Sequence, residues 1–222
     1  LLSISCYIDC YKLTTERIVA PAGSAEKMDL KKTLKGLIKN KPLIAILCAS
    51  LIFMMNMMLV GAVNVYLFKD YFSSAGTLSF VSIAQTIAVL LCAPFVKTLT
   101  TKFGKKEMSM VGLLIASAAY FFLFFLKDID AMTFIYISFI GFIGFGLFNT
   151  VIWAFVTDVI DYQEYLTDLR EDGTVYSVYS FARKVGQALA GGIGGFAIAA
   201  IGYDASREVQ TDEALNGIHT LA

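Results

Sequence analysis

Charged residues fall in clumps along this chain, and the stretches between the clumps are almost unbroken hydrocarbon. Residues 42–68, 75–96, 108–126 and 131–157 contain no Asp, Glu, Lys or Arg. Each block is near or above the roughly 20 apolar residues that a helix needs to cross a bilayer core about 30 Å thick. A fifth apolar run, 185–203, is nearly as long. Buried helices of soluble proteins are shorter and usually carry a polar stripe, so the pattern predicts membrane spans. The first block is internal and too long for a cleaved leader. The expected fold is all-α: a polytopic membrane bundle with five transmembrane helices at 42–68, 75–96, 108–126, 131–157 and 173–202.

The polar stretches organise the rest. Residues 1–8, LLSISCYI, read as the end of an earlier span, and residues 204–222 read as an external tail. Because the chain opens on Leu in mid-helix, we expect a piece of a longer protein, truncated at both ends. Residues 9–41 form a central connection with eight Lys and Arg, and the short link 97–107 holds four more, Lys97, Lys102, Lys105 and Lys106. The links 69–74 and 127–130 hold one each, Lys69 and Lys127. The excess of cations on cytoplasmic loops therefore places 9–41 and 97–107 inside. Within 24–41, Leu30, Leu34, Leu37 and Ile38 recur at helical spacing among lysines. That pattern predicts a basic amphipathic helix on the inner surface, which serves equally as a linker between two halves of a transporter.

Composition adds exclusions. The chain is 57% hydrophobic and 16% charged, against roughly half apolar and a quarter charged in soluble domains. Its net charge of zero and its lack of any nucleic-acid motif give no reason to expect nucleic acid as a partner. Cys48 and Cys92 lie in spans, Cys6 and Cys10 have no second ligand pair, and His219 is alone, so no metal site is expected. Gly192-x-Gly194-x-x-Ala197 fits a dinucleotide fingerprint in letters only, because it lies inside an apolar run rather than between a strand and a helix. The small residues there, with the Gly191–Gly195 pair, suit close helix approach instead. No acid and no His lies in the middle of a span, so an embedded enzyme is not expected.

Two basic and acidic segments carry a resemblance. The tight turn Lys102-Phe103-Gly104-Lys105-Lys106 looks like a degenerate loop motif of the major facilitator superfamily, with Thr101 in place of its usual Asp. Asp158-Val-Ile-Asp161-Tyr162-Gln163-Glu164, then Arg170-Glu-Asp172-Gly173, Tyr176-Ser177, Lys184-Val-Gly186 and Gly202-Tyr203 follow in order. Upstream stand Lys39-Asn40-Lys41-Pro42-Leu43 and Tyr66-x-Phe68-Lys69-x-Tyr71. This series resembles the glycoside–pentoside–hexuronide:cation symporter family, with Gln163 where that family has Gly and Arg183 preceding its Lys. The resemblance implies the C-terminal half of a twelve-span transporter in the cell (inner) membrane, spans seven to eleven. It implies a sugar substrate, a coupling cation, Na⁺ or H⁺, no other cofactor, surrounding membrane lipid, and an N-terminal half as partner. A facilitator for a lipid or an organic acid is the alternative.

Candidate site residues follow from faces. Tyr176, Ser180, Lys184, Gln187 and Gly191 recur at steps of three and four, hence on one helix face; Tyr179 lies beside them. If the last span starts near Gly173, Lys184 sits near the midplane, where a cation needs water or a partner. If it starts at Val185, Lys184 is a flanking cation. The residues leave both readings open, and the resemblance implies the first, with Lys184 beside the sugar and cation sites. Arg183, about 100° round the helix, is expected to face elsewhere. Asn149 and Trp153, a turn apart, are candidate sugar contacts or plain core. Asn56 and Asn64 are candidates for the opposite wall or for interhelical bonds. Asp158 and Asp161, three apart on one face, and Arg170 are candidates for a cytoplasmic gate whose acids pair with basic residues of the other half, or for a solvated acidic loop.

The orientation is testable by cysteine labelling from outside the cell in a cysteine-free background. A cysteine at position 128 should label and one at position 105 should not; the reverse pattern overturns the topology.

Overall fold

The computed structural model describes residues 2–14, 30–126, 129–168, 170–204, 206–207 and 209–221. Asp128, Lys127 and most of the stretch joining the first two helices lie outside the described residues. The chain divides into two compact units, Leu1–Lys35 and Gly36–Ala222. In the first, helix α1 spans Leu2–Leu13, past the predicted end at residue 8, and exposes Ile4, Tyr7, Ile8, Tyr11 and Leu13. Helix α2 spans Leu30–Lys39 and carries the boundary between the units.

The second unit is a helix bundle. Helix α3, Lys41–Tyr66, starts where a buried Asn40 side chain accepts the backbone N–H of Leu43, with Pro42 in the first turn. Both are standard start signals: the cap satisfies an orphan donor, and proline has none to lose. Its far end loosens into a π turn, Leu67–Tyr71, and a short 3₁₀ turn, Ala75–Thr77. Helix α4 is Leu78–Phe103, helix α5 is Lys105–Phe125, and Gly104 joins them at φ +95°. Helix α6, Ala131–Thr167, is capped by Asp130, which accepts from the backbone of Met132 and Thr133. The same contacts, with the Thr133 hydroxyl foremost, hold the Asp130 carboxyl below its ordinary pKa. Helix α7 is Asp172–Ala200, and helix α8 is Asp212–Leu221.

Four helical stretches have the length and apolarity to cross a membrane: Lys41–Tyr71, Ala75–Phe103, Lys105–Phe125 and Ala131–Thr167. Five were expected. The fifth, α7, is long enough at 29 residues but carries Arg183 and Lys184 near its middle. Helix α6 is ten residues longer than its charge-free block. At 1.5 Å per residue its 37 residues extend about 55 Å, so its acidic last turns project well beyond a core of about 30 Å. The expected tail is partly folded: Ala214 and Ile218 of α8 are fully buried, packed near the π turn that ends α3. On α2, Leu37 is buried in a cluster with Leu43, Val159 and Val175, while Ile38 is exposed. At least one of its apolar positions thus serves the protein core rather than a lipid surface.

Packing sorts the bundle into two groups. Helix α7 runs along α3, and α6 runs along both α4 and α5. Phe53 and Met54 of α3 join Phe148, Ile152 and Val156 of α6 and Tyr179 of α7 in one cluster across the seam between the groups. The closest approach of α7 to α3 is at Gly186, where a Cβ would stand 2.5 Å from the Leu51 carbonyl oxygen. Sequence reading placed close approach at the small residues 192, 194 and 197 and at the Gly191–Gly195 pair; Gly194 meets Leu59 of α3 at 3.4 Å, whereas Gly191, Gly192 and Gly195 face open space.

Gly186→Ala should therefore destabilise the bundle by about 1–3 kcal/mol, the usual cost of overpacking. Gly191→Ala should be neutral or stabilising by up to about 1 kcal/mol, since alanine is the better helix former. Thermal unfolding in detergent, followed by circular dichroism, checks the pair.

Candidate binding pocket

The seam between the two helix groups opens into a pocket of about 220 Å³, lined among others by Met54 of α3, Gln85 of α4, Asn149 of α6, and Arg183 and Gln187 of α7. Four helices thus contribute to one small volume. Its apolar part is methionine and phenylalanine, and its polar part is three amides and one guanidinium.

Arg183 is the centre of this arrangement. Its guanidinium lies 5.3 Å from the Trp153 ring centroid and 5.7 Å from that of Tyr179. Nη2 donates to the Met54 sulfur at 3.6 Å, and Gln187 Nε2 donates to the same sulfur at 3.7 Å. The expectation that Arg183 faces away is overturned. The buried face of α7 carries Val175, Tyr179, Gly186, Ala190, Gly194 and Ile198, and Arg183 lies within its sector by helical geometry. Contact with aromatic faces is worth about 0.5–2 kcal/mol depending on desolvation, which offsets part of the cost of drawing the charge inward.

The predicted residues come together in part. Trp153 stacks on Tyr176 at 6.4 Å and meets the buried Tyr179 edge-on at 5.7 Å. Tyr176, Ser180, Lys184 and Gln187 occupy about 80° of arc at 100° per residue, but they differ in burial. Ser180 and Gln187 are half-buried, whereas Tyr176 and Lys184 are exposed. Lys184 is the thirteenth residue of α7, about 18 Å along the helix. The helix does not start at Val185. The ammonium donates to Gln187 Oε1 at 3.2 Å and so fixes that amide, whose Nε2 faces Met54. Asn149 lines the pocket, half-buried. Asn56 lines a different cavity, of about 480 Å³, between α3, α5 and α6, and Asn64 is buried. Neither Asn forms the opposite wall. Gln85, Met54 and Arg183 were missed, and for Gln85 only its place as a lone amide in an apolar block signals it.

The acids expected at the gate divide into two clusters, both satisfied within this chain. Lys105 donates to both oxygens of Asp158 at 2.7 Å. Arg170 bridges Asp161 at 3.5 Å, Glu164 at 2.8 Å and Asp172 at 3.1 Å. Asp172 and then Glu164 raise the Arg170 pKa further above its already high value. All these side chains are substantially exposed, and a pair such as Lys105–Asp158 is worth about 1 kcal/mol or less. The turn at Gly104, which begins α5, carries Lys105 to α6. A buried contact lies close by in the sequence: Asn40 Nδ2 donates to Gln163 Oε1 at 3.0 Å and to the Val159 carbonyl at 3.4 Å. Both side chains are fully buried.

Apolar helices long enough to span a bilayer, packed round a small pocket of methionine, phenylalanine, three amides and one guanidinium, define a multi-pass membrane bundle. The whole chain, residues 1–222, matches the family model described as MFS/sugar transport protein, and it belongs to that family of multi-pass membrane proteins. It is 31% identical to an uncharacterized symporter, YjmB, of Bacillus subtilis (strain 168) over 99% of its own length and 48% of that protein. It is 30% identical to a glucuronide carrier protein homolog of Escherichia coli (strain K12), covering 96% of this chain and 46% of that one. It is 28% identical to an isoprimeverose transporter of Lactiplantibacillus pentosus, covering 92% and 42%. The chain spans about half the length of the curated relatives it matches.

Asn40→Ala removes the cap of α3 and leaves the buried Gln163 amide without its donor. Loss of a cap costs about 0.5–2 kcal/mol and an orphaned buried amide about 1–3. The thermal midpoint of the Asn40→Ala protein should fall by several degrees, and that of a Lys39→Ala control by far less.

Proposed function

We propose that the chain is the second half of a sugar:cation symporter that works by alternating access, the two halves rocking about a site near the bilayer midplane. The observation that carries this reading is the pocket at the seam. Its amides (Gln85, Asn149 and Gln187) suit sugar hydroxyls, and its Arg183 leans on Trp153, outside the lining, whose ring suits the C–H surface of a sugar. Family membership supports sugar as the substrate, and relatives named for a glucuronide and for isoprimeverose support a glycoside. The relative named a symporter supports cation coupling, with Na⁺ or H⁺ as the ion.

In this reading Lys184, Ser180, Tyr176, Tyr179 and Gln187 serve the substrate and the coupling ion from α7, and Asn149 and Trp153 serve the substrate from α6. Lys184 orients the Gln187 amide and brings a positive charge to the site, where it balances a carboxylate–ion pair contributed by the first half. A midplane ammonium is tolerated because its solvent is the aqueous cavity. Asp158, Asp161 and Arg170 form the cytoplasmic gate. Their exposed pairs, strong in no single case, are suited to breaking and re-forming as the inner mouth opens and closes.

The experiment is ion-driven sugar accumulation by the whole transporter, normalised to protein in the membrane. Lys184→Ala should abolish accumulation against a gradient while insertion is normal. If Lys184→Ala accumulates sugar like the parent, the coupling role of Lys184 is wrong. If the parent transports a lipid or an organic acid and no glycoside, the sugar reading is wrong.

A further inference from the structure

The geometry points to Arg183 as the residue that selects substrate by charge, holding the carboxylate of an acidic glycoside at the seam of the bundle. The inference rests on the sugar-transport reading and adds to it the sign of the substrate and the residue that reads it.

Among the described residues, Arg170 and Arg207 bond to carboxylates. Arg183 does not: no described carboxylate lies within 4 Å of it. Its neighbours are two aromatic faces and a thioether. A guanidinium has five N–H donors, and a thioether sulfur is a weak acceptor. The strong donors are therefore largely unspent in a half-buried position. Trp153 and Tyr179 lie against the group, and apart from the Nη2 contact to the Met54 sulfur its N–H edge has no acceptor among the described residues. A planar two-oxygen acceptor fits that edge, because arginine and carboxylate form paired, parallel hydrogen bonds.

The surroundings are ordered for such a ligand. Trp153 and Tyr179 hold the guanidinium in place, so little side-chain freedom is lost on binding. Gln187 and Asn149 line the same volume with neutral amides, the partners for hydroxyls next to an acid group. A volume of about 220 Å³ is below the roughly 300–1,000 Å³ of sites for drug-sized ligands. It has room for the acidic end of a glycoside, with the remainder of the sugar reaching toward Trp153 and Tyr176. Lys184, one residue on, is exposed and turned to Gln187, so the two cations have separate tasks. The relatives are named for different glycosides and do not decide the charge; a guanidinium with no carboxylate among the described residues within 4 Å does.

The test uses the whole transporter in membrane vesicles, with methyl β-D-glucuronide and methyl β-D-glucopyranoside as probes, which differ only at the acid group. The parent should take up the glucuronide at least about tenfold better at low concentration, the lower end of what a charged hydrogen-bonded pair provides. Arg183→Gln should collapse that ratio by about tenfold or more while neutral uptake persists, and Arg183→Lys should restore part of it. A residue that merely braces α7 would lower uptake of both probes together and leave the ratio unchanged, and that outcome overturns the inference. So does a parent that prefers the neutral probe, which leaves the sugar-transport reading standing and needs no variant to fold. A parent that accumulates neither probe overturns both readings.

Discussion

Two helices can share a buried face only as closely as their bulkiest facing atoms allow, and between α3 and α7 close approach is permitted at Gly186. Its missing side chain lets α7 press its backbone against the Leu51 carbonyl of α3. Everything that faces the seam takes its angle from that contact. Tyr179, two turns before Gly186, is driven into the core between Phe53, Met54 and Ile152. Arg183, nearly one turn before Gly186, is carried over the Trp153 ring rather than outward. One backbone contact thus fixes which of two adjacent cations is inside.

The seam also concentrates the electrostatic tension of the fold. Arg183 and Lys184 stand mid-helix in a chain whose other long helices exclude charge from their middles. The lysine meets an amide oxygen and the arginine meets π faces and sulfur. Each contact is weaker than a carboxylate would provide. Under the proposed sugar-transport function, a pocket that leaves a cation partly satisfied receives a negative or hydroxylated ligand.

Much of this was legible in one dimension. The four charge-free blocks became the four apolar helices, because hydrocarbon admits only backbone that satisfies itself. The polar periodicity of 176, 180, 184 and 187 marked a real sector of α7, and Trp153 was drawn to it. Arg183 was misjudged for a definite reason. Helical arithmetic gives the angle between two residues, not which sector a neighbouring helix will cover, and that was decided by Gly186 against Leu51. The glycines at 191 and 195 match a packing pattern in letters, but α7 meets α3 through Gly194, beside Leu59, and 191 and 195 lie on open sides of the helix. The gate acids read in sequence as partners for basic residues of the other half, or as a solvated loop. Their partners, Lys105 and Arg170, lay in this same chain, across a turn and a loop that no local pattern joins.

Asn40 and Gln163 show what a neutral contact contributes where most neighbours are ionic. The acidic end of α6 is tied to α5 and to the start of α7 by exposed ion pairs, which ionic strength weakens and protonation breaks. It is tied to the start of α3 by two buried amides, which carry no charge to screen and no proton to lose. That amide link between the two helix groups is therefore blind to salt and to pH, while the ion pairs around it are sensitive to both. A bundle fastened in this way keeps its internal geometry as conditions on either side of a membrane diverge, and lets only its outer contacts register the difference.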